Sequence, residues 1–218
     1  GRRGRVMSWL DRLRRRPVAT TPLKTEVDIP LFPLGGVLLP GARMSLKVFE
    51  QRYLDMAAEC MREKTPFGVC LIEHGQEVGT PAVPHAIGTL AQIDQGDVPQ
   101  LGILMLAVHG TQRFRIIEQH AQADGLLRAR VELLDDINAQ PIPEALRALL
   151  PLLEKIVNDL GPTRMPPPYA YDDAGWVGYR LTEIVPVQPL AKQKLLELDD
   201  PIARLEILHA YFAQRELV

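Results

Sequence analysis

Leu127-Arg128-Ala129-Arg130-Val131-Glu132-Leu133 alternates strictly, with Leu127, Ala129, Val131 and Leu133 on one side and Arg128, Arg130 and Glu132 on the other. That period of two is the signature of a half-buried strand. Just past Asp135 and Asp136 the spacing changes, because Leu146, Leu149, Leu150, Leu153, Ile156, Val157 and Leu160 recur at three and four, as on one face of a helix. Pro143 marks the start of this helix, Gly161 its C-terminal cap and Pro162 the stop, while Pro151 predicts a kink inside it. A chain of mainly strand period before this point and helix period after it reads as α+β.

Upstream of this switch the pattern is mostly of strands. Ile29 to Gly41 is apolar but carries Pro30, Pro33 and Pro40, which exclude a helix and confine any strand there to an edge or a bulge. Met44 to Phe49 reads as a strand. Residues 50–63 form an amphipathic helix with Tyr53, Met56, Ala57, Cys60 and Met61 on the apolar stripe. Further strands are expected at Phe67–Ile72, at Ile87–Ile93, and at Leu101–Val108, which reads as buried on both faces; Gly110 is expected to turn the chain into Thr111–Ile117. So many antiparallel strands around one helix imply a closed or nearly closed barrel, which leaves no long unpaired edge.

Downstream the chain stays helical. Met165-Pro166-Pro167-Pro168 is an extended connector, and Asp172 or Asp173 caps a helix through Trp176, Val177, Leu181 and Ile184. Gln188-Pro189 and Asp200-Pro201 open two more. The expected organisation is a basic tail over 1–26, a barrel with one helix over 27–136, and a helical bundle packed on the barrel over 137–218.

The 218 residues, 46% apolar and 24% charged, suffice for a real core without disulfide or structural metal. Cys60 and Cys70 are the only cysteines and form no CxxC pair, so both are expected to be reduced packing residues. No apolar run approaches a membrane span and no secretory leader is recognisable, which points to the cytoplasm. Residues 1–24 carry eight basic groups against Asp11, for +7; with a whole-chain net charge of −2, about −9 is left for residues 25–218. A body this acidic is a poor general polyanion binder, so no specific nucleic acid is expected there. Met7 to Arg16, with Trp9, Leu10 and Leu13 among arginines, reads either as a short basic amphipathic helix or as an unstructured arm.

The residues of catalysis are scarce. Ser8 and Ser45 are the only serines, neither in a G-x-S-x-G elbow. Ser45 and Lys47 share a strand face, but two-residue spacing aims no base at the hydroxyl. No phosphate-binding glycine loop occurs, so no ATP is expected. The five histidines show no helical metal-ligand spacing. Asp135-Asp136 and Asp199-Asp200 stand near helix starts and read as caps. The polar and aromatic groupings that stand out are Glu50, Arg52 and Tyr53, just after Phe49, and Arg113 with Arg115 flanking Phe114; an ion pair between helix start and barrel is their plainest explanation.

Several segments in order carry a family pattern: Pro30-Leu31-Phe32-Pro33-Leu34, Leu38-Leu39-Pro40-Gly41, Phe49-Glu50-Gln51-Arg52-Tyr53, Phe67 to Ile72, Val78-Gly79, Gly88-Thr89-Leu90-Ala91, Gly110 to Ile116 and Lys192 to Glu197. Together, from about Ile29 to Phe212, they resemble the amino-terminal substrate-binding domain of ATP-dependent Lon proteases. The resemblance implies a PUA-like antiparallel β-barrel followed by a helical bundle. It also implies recognition of unfolded or tagged substrates, with ATPase and protease chemistry residing in other domains that this sequence lacks.

The leading expectation is therefore a non-catalytic, stand-alone Lon-like protein that binds unfolded polypeptide or a protein partner in the groove between barrel and bundle. It uses no cofactor and no metal, and a weak homo-oligomer is compatible with it. Phe49, Glu50, Arg52, Tyr53, Arg113 and Phe114 are the candidate contact residues. The alternatives are an RNA-binding PUA-like module and, behind it, an enzyme acting on small molecules.

Overall fold

Alternating and helical periods separate along the chain much as the sequence implies. In this computed structural model, which describes residues 25–136 and 138–218, seven strands precede four of the five helices. The expected reading of Met7 to Arg16 lies outside the described residues. The strands are β1 (Glu26–Leu34), β2 (Arg43–Val48), β3 (Phe67–His74), β4 (Val83–Pro84), β5 (Ile87–Gln100), β6 (Ile103–Ala121) and β7 (Leu127–Leu133). Helix α1 (Gln51–Glu63) lies between β2 and β3; α2 (Leu149–Arg164), α3 (Ala174–Ile184), α4 (Pro189–Glu197) and α5 (Pro201–Gln214) follow the strands. Among the described residues no helix is long and apolar enough to cross a membrane.

Strand pairing runs β1–β7–β6–β5–β3 and returns from β3 to β1, with β4 beside β3 and β2 beside β6. Each of the five strands in this ring contributes to one buried cluster: Ile29 and Leu31, Cys70, Leu90, Phe114, and Leu127, Ala129 and Val131. One pairing departs from the antiparallel expectation. Residues Leu31–Leu34 of β1 run parallel to Gly68–Leu71 of β3, and the β2–α1 excursion supplies the long crossover that a parallel pair needs. Glu26–Pro30 pair with β7 and Leu31–Leu34 with β3, so each half of β1 is paired along one side only and the prolines at 30 and 33 are tolerated as on an edge.

The structure corrects the reading of Gly110. It is not a turn but part of a continuous 19-residue β6, where its N–H donates to Ala42 O at 2.8 Å and its own carbonyl accepts from Gly41 at 2.8 Å. A Cβ at this position would stand 2.4 Å from Leu39 O, so the glycine permits close backbone approach. Nor is β6 buried on both faces over its first half: Leu104, Leu106 and Val108 face in, while Ala107 is exposed. The turn lies at Leu101-Gly102, with Leu101 99% exposed and Gly102 at φ 85°.

Pro151 introduces no kink. Helix α2 begins at Leu149, which puts Pro151 in the first turn, where no intrahelical N–H bond is lost. The break comes instead at Gly161, left-handed at φ 80° just before Pro162. Helices α2 to α5 close on their own core, with Leu149, Leu153, Val177, Leu181, Leu205 and Leu208 at its centre. Two caps fall where acidic residues precede helices: Asp173 accepts from Gly175 N at 3.1 Å and Asp200 from Ile202 N at 2.9 Å. Asp136 and Asp199 are not caps; both accept from Arg113.

Candidate functional site

Regular alternation over Arg43–Val48, with no Gly or Pro to interrupt it, makes β2 a straight six-residue strand in unbroken register with β6, from Arg43 opposite His109 to Val48 opposite Leu104. Leu46 and Val48 are buried, while Arg43, Ser45 and Lys47 are exposed. Among the described residues β2 pairs with β6 alone, so its other edge is open.

Two cavities border β2 and share Ser45 in their walls. The larger, about 700 Å³, lies where β2 and β6 meet α2 and α3, along the seam between strands and helices. Met44, Val108, Ile156, Leu160 and Ile184 give it an apolar lining; Arg43, Asp94, Arg164 and Glu183 give it charge. The smaller, about 340 Å³, separates Ser45–Glu50 from Phe32–Leu34 of β1 and is bordered by Tyr53, Glu77 and Val78.

The charges are unevenly matched. Asp94 lies 2.8 Å from His109 Nδ1, and Glu183 lies 3.2 Å from Arg180 Nε. Burial pushes the Glu183 carboxyl above its ordinary range, against the opposing pull of Arg180 and Lys192. In the smaller cavity Glu50 accepts from Arg52 Nε at 2.9 Å and Glu77 Oε1 accepts from Gly35 N at 2.7 Å. Arg43, Lys47 and Arg164 have no ion-pair or hydrogen-bond partner among the described residues. Every carboxylate of the two cavities is thus engaged, and three cations are not.

The six residues singled out from sequence divide. Phe49, Glu50 and Tyr53 come together at the smaller cavity, with Phe49 49% exposed and Tyr53 packed on Phe32 at a centroid distance of 4.4 Å. Arg52 sits just behind them, its guanidinium donating to Glu50 and to Gly125 O at 2.9 Å and lying 4.7 Å from the Tyr53 ring. Arg113 and Phe114 are elsewhere and are not accessible. Phe114 is 0% exposed, wedged against Gly68 and Gly88, and Arg113 is 1% exposed. The Arg113 guanidinium is spent on Asp136, Asp199 and the carbonyls of Leu196 and Leu198, a tie between β6 and the helices.

Sequence reasoning did not find the open edge or the unpaired cations. Alternation at 43–48 marks a strand, but nothing local distinguishes an edge strand from a central one. The Asp94–His109 pair was equally invisible, because the two are brought together across β5 and β6 from 15 positions apart.

Residues 28–214 match the family model of the ATP-dependent protease La (LON) substrate-binding domain. The Lon protease of Cytophaga hutchinsonii is 24% identical over 207 residues and that of Heliobacterium modesticaldum 26% over 199, covering 86% and 88% of this chain. Those alignments take in 25% and 24% of the relatives, so the chain spans about a quarter of the length of the curated proteins it matches. Among solved structures, a Lon N-terminal domain protein from Xanthomonas campestris superposes with a TM-score of 0.72 at 37% identity, covering 85% of this chain and 98% of that one. The N-terminal domain of a Mycobacterium avium complex Lon protease shares the fold at a TM-score of 0.60 and 17% identity, covering 86% and 98%. With nearly all its described strands and helices inside the matched region, the chain belongs to the LON substrate-binding domain family.

Proposed function

We propose that this chain binds polypeptide without transforming it, in the seam cleft beside β2, with the ring of paired strands serving as the PUA-like barrel that presents the site. The observation that carries this reading is the larger cavity itself: about 700 Å³, bordered by β2, with Met44, Val108, Ile156, Leu160 and Ile184 set among charged and polar side chains. Concavities that combine apolar side chains with convergent polar groups are the usual form of a binding site. Membership of a substrate-binding family supports the polypeptide as the ligand. The binding-only role is supported by the charge pairing of the cleft's carboxylates, Asp94 with His109 and Glu183 within 3.2 Å of Arg180, although the Glu183 contact is not a hydrogen bond.

The test is fluorescence anisotropy of a labelled protein, reduced and carboxymethylated so that it cannot refold, titrated with the full chain. Saturable binding is expected, with the labelled polypeptide recovered intact. Ala107 is exposed and lines the cleft, so Ala107→Trp fills it without touching the core. This change is expected to weaken binding at least ~10-fold, the effect of about 1.4 kcal/mol. Absence of binding to unfolded polypeptide, or cleavage of the label by the purified chain, contradicts the proposal.

A further inference from the structure

We infer that the bound polypeptide is an extended acidic segment that adds to the open edge of β2 as a further strand. The inference rests on the function proposed above and specifies its ligand. Its basis is the direction of the β2 backbone groups. Gly110 N donates to Ala42 O at 2.8 Å, and the register from Arg43 opposite His109 onward is unbroken. In an antiparallel ladder, residues alternate between those whose N–H and C=O face the partner and those whose groups face away. Ala42, Met44, Leu46 and Val48 therefore spend their backbone groups on β6. Arg43, Ser45 and Lys47 present theirs to the open side, where no strand pairs with them among the described residues.

Such a row of donors and acceptors is satisfied by an extended chain and by few other ligands; strand addition of this kind takes affinity from backbone bonds and selectivity from side-chain pockets. The two cavities supply the pockets. One borders Arg43–Ser45 and the other Ser45–Glu50, so a segment laid along β2 reaches both.

Charge selects among extended segments. Arg43 and Lys47, four residues apart on the exposed face, have no partner among the described residues, nor has Arg164 across the larger cavity, whereas the neighbouring Asp94, Glu183, Glu50 and Glu77 are engaged. Opposite charges in directly facing cross-strand positions attract, and like charges repel. The favoured segment thus carries carboxylates at i and i+4 with apolar residues at i+1 and i+3.

The probe is a labelled eight-residue peptide, Glu-Val-Thr-Val-Glu-Val-Thr-Val, measured by anisotropy against the full chain. Strand addition uses only every second peptide N–H. N-methylation of one alternating set of residues is expected to weaken binding at least ~10-fold, from the loss of two or more backbone hydrogen bonds, while methylation of the other set leaves it within about 2-fold. On the protein, Ser45→Pro removes an outward N–H and is expected to weaken binding to a similar degree. Arg43→Glu with Lys47→Glu is expected to reverse preference toward the peptide with Lys in place of Glu. Equal effects of the two methylated sets overturn strand addition even if the carboxymethylated protein still binds, which leaves the proposed function standing. If neither peptide nor unfolded protein binds, the proposed function itself has failed. Displacement of the peptide from these residues by an RNA oligomer at lower concentration also overturns the inference, since it assigns the cations to nucleic acid.

Discussion

Arg113, on β6, donates from Nη2 to Asp199 Oδ1 at 3.1 Å, joining the strand ring to the turn between α4 and α5 across 86 positions of sequence. The same guanidinium donates to Asp136 Oδ1 at 3.2 Å and to Leu196 O at 3.0 Å, and Asp136 also accepts from Tyr179 OH at 2.9 Å. Arg204 completes the cluster, its guanidinium 4.3 Å from the Tyr179 ring and its Nε donating to Leu195 O at 2.9 Å. The partners are unequal. Arg113 is buried, whereas the Asp199 side chain is 72% exposed.

That inequality predicts an asymmetric response to mutation. Arg113→Met strands the buried carbonyl of Leu196 and removes the tie between the two halves, and should cost about 3 kcal/mol of unfolding free energy. Asp199→Asn removes one well-solvated carboxylate and should cost less than about 1 kcal/mol. Urea denaturation of the two variants checks both values.

Tyr179 makes the same cluster sensitive to alkali. Burial is the main reason its hydroxyl is pushed up to about 12, against the pull of Arg204 and Arg113. A phenol harder to ionise in the folded state contributes stability that is complete below pH 10, its ordinary value, and is lost as pH rises toward about 12. Across that window the loss should reach about 3 kcal/mol. Tyr179→Phe should lower stability at pH 7 by about 1 kcal/mol, through the lost hydrogen bond to Asp136, and flatten the alkaline limb of a stability-against-pH curve.

Phe114 fills the ring because two glycines make room for it. A Cβ on Gly68 would lie 2.7 Å from Phe114 Cζ and 2.8 Å from Ile29 Cδ1, both side-chain atoms. On Gly88 it would lie 2.4 Å from the Val69 carbonyl, which is backbone. Phe114→Leu should therefore recover most of the stability lost in Gly68→Ala but little of that lost in Gly88→Ala. A double-mutant cycle by thermal unfolding measures the difference.

Both cysteines should be silent toward thiol reagents in the folded protein. Cys60 and Cys70 are 3% and 1% exposed, and burial pushes both thiols up, away from the reactive thiolate. Titration with a chromogenic disulfide should detect neither until denaturant is added. Fast labelling of either in native buffer would refute the packing described here.

Much of this fold was legible because its elements carry strong local signals. The alternation of Leu127–Leu133 gave β7, the Asp173 and Asp200 caps gave the starts of α3 and α5, and Gly161 gave the end of the regular part of α2. What failed were readings in which position decides between two meanings of one residue. Gly110 signals a turn in isolation, but it lies within β6 because the Leu39 carbonyl packs against it. Pro151 signals a kink, but the helix starts only two residues earlier.

The candidate site was less legible. Phe49, Glu50 and Tyr53 border a cavity, but Arg113 and Phe114, which look similar in sequence, are interior. Burial of an Arg depends on distant partners such as Asp199, and no local pattern records them. The openness of β2 is likewise a property of what does not pair with it.

The most direct measurement is amide hydrogen exchange of the full chain with and without the acidic eight-residue peptide. If the chain binds polypeptide along β2, residues 43–48 exchange more slowly when peptide is present and Ser45→Pro abolishes that protection. Peptide binding that leaves the exchange of residues 43–48 unchanged, or no binding at all, contradicts the account.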